Sequence, residues 1–150
     1  MSKVQIGKER IFNNEFVTRG VEGVTLWEIF PVVNNELICV VFEEANSLWR
    51  QGIWLKTDRG LEINNELCPS AVLWFDTAPR QVLCRCLTYD GCLSIYNVWD
   101  EGEGRRSQGW SSGMLVEELP NGRRYRCNDV GFDTRFDKLV VRVERRPRMH

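Results

Sequence analysis

A chain of 150 residues, 43% hydrophobic and 27% charged, has the composition of one globular domain, long enough to bury roughly 68–70% of the surface its unfolded form exposes. A net charge of -1 argues against nucleic acid as a partner, and no apolar run approaches the ~18 residues of a membrane-spanning helix, so no membrane partner is expected. The N-terminus MSKVQIGKER has no apolar export region, so the six cysteines read as reduced thiols of a cytoplasmic protein rather than as a disulfide framework.

Residues 1–20 are weakly patterned, with short extended pieces at 4–6 and 10–12. Residues 24–33 (VTLWEIFPVV) are rich in β-branched and aromatic side chains, and Pro31 ends or bulges the strand they predict. Asn34-Asn35 turns the chain into residues 36–42 (ELICVVF), a continuous apolar run that predicts a strand buried on both faces at the centre of a sheet. Residues 43–51 (EEANSLWRQ) carry acids first and an arginine late, with Gly52 behind them, the signature of one short helix. A meander follows at 53–56 and 61–63, with turns at 58–60 and 64–65. Residues 71–76 (AVLWFD) form an apolar strand stopped by Thr77-Ala78-Pro79, and residues 81–88 and 92–99 read as a hairpin through Asp90-Gly91. Asn-Asn-Glu recurs at Asn13, Asn34 and Asn64 with unequal spacing, which suits three turns using the left-handed tolerance of asparagine and not a structural repeat.

The strongest local signal is the hairpin of residues 114–119 and 123–128 about Pro120-Asn121-Gly122, expected as a three-residue loop with a bulge. That loop length opposes Leu119 to Arg123, Glu118 to Arg124, Glu117 to Tyr125 and Leu115 to Cys127, so Leu115, Leu119, Tyr125 and Cys127 share the core face. Residues 138–144 alternate cleanly, with Leu139, Val141 and Val143 inward, and residues 145–150 form a basic tail. About ten short strands with frequent turn signals predict a mainly β, antiparallel, jelly-roll-like β-sandwich as a single domain over residues 1–150. The alternative is an α+β fold, an antiparallel sheet with helices at 1–20 and 43–51. Buried positions are expected to include Leu37, Cys39, Val41, Val72, Trp74, Leu83, Ile95, Leu115, Tyr125, Leu139, Val141 and Val143.

The only histidine is His150, the last residue, which removes the commonest general base and metal ligand and argues against a histidine-activated nucleophile. Zinc at Cys84, Cys86 and Cys92 with Cys68 or Cys127 lacks the usual knuckle spacing, and the alternation places Cys84 and Cys86 beside Val82 on one face, so they read as core thiols. Asn128, Asp129, Asp133 and Asp137 match no calcium-loop spacing, so no metal and no cofactor is expected. Sixteen arginines against four lysines read as solvated sheet faces and salt-bridge partners of Glu117, Glu118 and Glu144.

Six tryptophans are more suggestive. Trp27, Trp54 and Trp74 fall in apolar strands, whereas Trp99 and Trp110 bracket a charged, glycine-rich loop. An exposed ring beside acids, amides and arginines can stack on a sugar while the polar groups bind its hydroxyls. The expected function is therefore a non-catalytic binding domain for a carbohydrate or other small hydroxylated ligand, with Trp99, Asp100, Arg105, Arg106, Trp110, Asn128 and Asp129 at the site. The alternative is a protein-interaction or homo-oligomerisation domain without a small ligand, using exposed Trp49, Trp110 and Met114 and pairing edge strands across a symmetric dimer.

Overall fold

The computed structural model describes residues 8–146, so the extended piece expected at 4–6 and the end of the basic tail lie outside the described residues. In chain order the elements are β1 (Ile11–Phe12), a 3-10 helix (Asn14–Arg19), β2 (Thr25–Pro31), β3 (Glu36–Ala45), β4 (Arg50–Ile63), β5 (Glu66–Trp74), β6 (Gln81–Cys86), β7 (Cys92–Asp100), β8 (Arg105–Ser107), β9 (Gly113–Leu119), β10 (Gly122–Asn128) and β11 (Leu139–Arg145). The chain is mainly β, 58% strand against 4% helix, which removes the α+β alternative.

Every strand pairing is antiparallel. The sheet does not split into the two layers of a sandwich. It runs β2-β9-β10-β11-β3-β6-β4-β7, and β7 returns to β2 to close an eight-stranded barrel. β1, β5 and β8 are added outside the ring, on β2, β4 and β7 respectively. Eight strands leave an interior just wide enough for side chains, and inward-facing Phe30, Ile38, Val40, Phe42, Ile53, Leu55, Cys84, Ile95, Cys127 and Val141 fill it as one core. The lumen is packed, so a ligand must bind at an end or on the outside.

The 36–42 run is a strand buried on both faces as expected, with Ile38, Cys39, Val40, Val41 and Phe42 all buried between β11 and β6. Val82, Cys84 and Cys86 share the inner face of β6, and Leu139, Val141 and Val143 that of β11. Asn35, Asn64 and Asn65 adopt positive φ, as the turn chemistry predicts, whereas Asn13 stays extended and caps the 3-10 helix by accepting from Glu15 N at 3.1 Å.

Residues 43–51 are not a helix. β3 continues to Ala45 because Leu139 and Val140 of β11 pair with Ala45 and Glu44, and β4 starts at Arg50. Here long-range pairing outweighs helical end signals. Gly52 is not a cap either: a Cβ there would press on the Trp74 ring at 2.8 Å. The 53–63 meander is one strand, β4, with an irregularity between Lys56 and Leu61 closed by Thr57 Oγ1, which accepts from Gly60 N at 2.9 Å.

The 114–128 hairpin forms with a register one residue from that expected. Leu119 faces Gly122, Glu118 faces Arg123, Glu117 faces Arg124 and Met114 faces Cys127, so the loop is the two residues Pro120-Asn121. Met114 is therefore buried in the barrel and is no surface patch, while Leu115 turns outward onto a second small core of Phe16, Val24 and Phe136. Gly122 serves close approach, not a left-handed turn, since a Cβ would collide with the Val143 carbonyl oxygen.

β6 and β7 do not pair with each other as a hairpin. Each pairs with β4, and Asp58 of β4 holds the loop between them by accepting from Thr88 Oγ1 at 2.7 Å and Tyr89 N at 3.0 Å. Val72 and Trp74 are only half-buried because β5 pairs with β4 alone. Leu37 and Leu115 are likewise half-buried, and Leu83, on the outer face of β6, is 52% exposed. Among the described residues no helix is long and apolar enough to cross a membrane.

Candidate ligand-binding site

At the end of the barrel where β3, β7 and β10 finish and β4 and β11 begin, the inward face changes from apolar to polar. Alternation along β4 carries Leu55 and Ile53 to Gln51, along β7 Ile95 to Asn97 and Trp99, and beyond β10 Tyr125 and Cys127 to Asp129. Asp129, only 1% exposed, is the centre of this polar end. Its Oδ2 accepts from Ser47 Oγ at 2.8 Å and Gln51 Nε2 at 2.9 Å, and its Oδ1 accepts from Val130 N at 2.7 Å.

Asn97 Nδ2 donates to the Asn128 carbonyl at 3.0 Å, and Asn128 Nδ2 donates to the Ser111 carbonyl at 2.9 Å. Three polar atoms in this region are buried without a partner among the described residues: Gln51 Oε1, Trp99 Nε1 and Asn128 Oδ1.

Above Asp129 opens a cleft of about 660 Å³ between two loops. The β3–β4 loop contributes Asn46, Ser47, Leu48 and Trp49, and the loop from β10 to β11 contributes Asp129, Val130, Gly131, Asp133 and Lys138. The loops are tied together, since Asn46 donates through N to the Lys138 carbonyl at 3.0 Å and through Nδ2 to the Asp137 carbonyl at 3.0 Å. Phe132 and Phe136 anchor the second loop on the small core, each at a positive φ held by ring packing on Phe16 at 5.0 and 5.2 Å. On the rim, hydrogen bonds from Arg135 and then Lys138 hold the Asp133 carboxyl well below the usual range, with Lys138 Nζ 3.1 Å from Asp133 Oδ2. The cleft joins a buried carboxylate and a hydroxyl to the apolar flanks of Leu48, Trp49 and Val130.

The residues expected at the site are distributed over three places. At the polar end of the barrel Asp129, Asn128 and Trp99 are all buried, and of these Asp129 alone lines the cleft. Asp100, Arg105 and Arg106 belong to the β7–β8 hairpin: Asp100 Oδ1 accepts from Gly102 N at 2.7 Å, and Arg106 pairs with Glu101 at 3.0 Å. Trp110 is 66% exposed, its ring 4.7 Å from Phe132, whose ring also carries the Arg19 guanidinium at 3.4 Å. Sequence reasoning missed Ser47, Leu48 and Gln51, and gave Trp49 only to a protein-interaction surface, because all four fall in the segment read as a helix. The pair Asn46-Ser47, both turn-formers, was the available signal of a loop there.

Burial pushes Cys84 and Cys86 up to about 12 and raises Cys127 further, so all three stay protonated at neutral pH. Among the described residues no three His, Cys, Asp or Glu side chains gather as metal ligands would. No family model matches the chain, and neither a curated relative nor a solved structure matches it significantly.

Proposed function

We propose that this chain is a non-catalytic binding domain and that its small ligand lies in the cleft over Asp129. One observation carries the reading: a cleft of about 660 Å³ whose apolar side chains flank a few oriented polar groups, the general form of a small-molecule site. The non-catalytic part of the reading is supported by the sequence, which has a single histidine and so little of the commonest general base. Asp129, Ser47 and the Trp49 ring suit a hydroxylated ligand, the carboxylate and hydroxyl taking polar hydrogens while the ring covers a flat apolar face.

Intrinsic tryptophan fluorescence, titrated with a glycan and metabolite panel, tests this directly. A bound ligand is expected to change the emission of the native protein, and Trp49→Phe should abolish that change while Trp110→Ala leaves it intact. Binding lost in Trp110→Ala and kept in a Trp49→Ala protein would place the ligand elsewhere.

A further inference from the structure

Two acidic side chains are buried among the described residues, Glu28 and Asp129, and they are held in opposite ways. Glu28 has Arg123 Nη1 at 3.2 Å, Arg10 Nη2 at 3.1 Å and the Tyr125 hydroxyl at 2.9 Å. Asp129 is held by a hydroxyl, an amide and a backbone N–H, all neutral. Among the described residues it makes no ion pair, although buried charges are ordinarily paired. The ammonium nearest in the cleft wall, Lys138, is committed to Asp133.

Gln51 adds an independent observation. Its amide orientation is set by chemistry, because Nε2 faces two acceptors, Asp129 Oδ2 at 2.9 Å and the Trp49 carbonyl at 3.4 Å. Oε1 is then left as an acceptor without a donor, on a side chain only 2% exposed. Gln51 sits behind Asp129 and lines a smaller neighbouring cleft, which shares Ser47, Leu48 and Trp49 with the first. The unmet needs at this point are a positive charge and an N–H donor.

Resting on the cleft as the ligand site, we infer that its ligand carries a protonated amine that docks on Asp129, with Oε1 of Gln51 as the second acceptor. An ammonium supplies both missing features, having three N–H donors and one positive charge. On the rim Asp133 is already matched by Arg135 at 2.6 Å and Lys138 at 3.1 Å, which leaves Asp129, among the described residues, as the cleft carboxylate without a cation. Leu48, Trp49 and Val130 then face the carbon skeleton that bears the amine.

The test uses matched pairs that differ in the amine: glucosamine against glucose, and phenethylamine against 2-phenylethanol, each titrated to tens of millimolar into the ¹⁵N-labelled full chain. The amines are expected to shift the backbone amides of Ser47, Trp49 and Val130 and to bind about tenfold or more tightly than their neutral partners, the gain expected of a charge-assisted hydrogen bond. Asp129→Asn, which keeps the shape and removes the charge, should erase the preference. Should that variant fail to fold, the paired comparison on the native protein decides alone. Neutral partners binding at the same amides as tightly as the amines would overturn the amine assignment and leave the cleft as the site. No shift at those amides with any of the four probes would overturn both.

Discussion

Glu28 shows how a single side chain can join distant parts of the chain. It lies on β2, fully buried, and gathers Arg10 from before β1 together with Arg123 and Tyr125 from β10. The Tyr125 hydroxyl is pushed well above its usual range, first by burial and then by the neighbouring Glu28 charge, so it remains the donor to the carboxylate at any ordinary pH. Glu28→Gln leaves two arginines facing an uncharged amide. Both keep some solvent, so the loss is expected near the lower end of the ~3–5 kcal/mol that accompanies removal of one partner of a buried pair. Tyr125→Phe removes one hydrogen bond and should cost less, about 1–3 kcal/mol. Urea unfolding of both variants checks the order, and a Glu28→Gln protein as stable as the native one would show that the network contributes nothing net.

At the scale of elements, the outer faces of β3, β10 and β11 are joined through Glu43. Its Oε2 accepts from Arg124 Nε at 2.7 Å and its Oε1 from Arg142 Nη1 at 2.7 Å. These bonds, the one from Arg124 foremost, hold the Glu43 carboxyl below its ordinary value despite partial burial. A carboxyl lowered in the folded state stabilises the protein above its unfolded pKa of ~4.3, and that stabilisation is lost as pH falls through the lower folded value. The stability gap between the native protein and Glu43→Gln should therefore be constant from neutral pH to about pH 5 and close below ~4. A gap that widens on acidification would contradict the assignment.

The same elements show what could be read from sequence. β3 was legible because an apolar run leaves a strand no solvent face, and β11 because its alternation is clean. The expected helix at 43–51 failed because its end signals are local while the pairing of Glu44 and Ala45 with β11 is not. The one-residue slip in the β9–β10 hairpin came from assigning Gly122 to the turn, when the nearby Val143 backbone is what excludes a side chain there. Asp129 was legible as a loop acid, but its partners Ser47 and Gln51 lie 82 and 78 residues away, a separation no local pattern reports.

For the whole molecule, closure is the feature that no periodicity distinguishes from a sandwich, since both bury alternate residues of antiparallel strands. Closure through β2 and β7 also bears on association, because it gives the ring strands partners within the chain. β5 remains outside and pairs with β4 alone, and it carries Pro69, which lacks a backbone N–H, a common feature of protected edges. One continuous core draws on every ring strand, from Phe30 of β2 and Met114 of β9 to Val143 of β11 and Leu93 of β7, so opening the seam should expose all of it together. Thermal or urea unfolding is thus expected as one transition, coincident by far-ultraviolet circular dichroism and tryptophan fluorescence, with a midpoint that does not move over a roughly hundredfold range of protein concentration. Separate transitions would show that the β4–β5 ribbon or the 129–138 loop melts independently of the barrel. A midpoint rising with concentration would instead show that a second copy covers the β5 edge and contributes to stability.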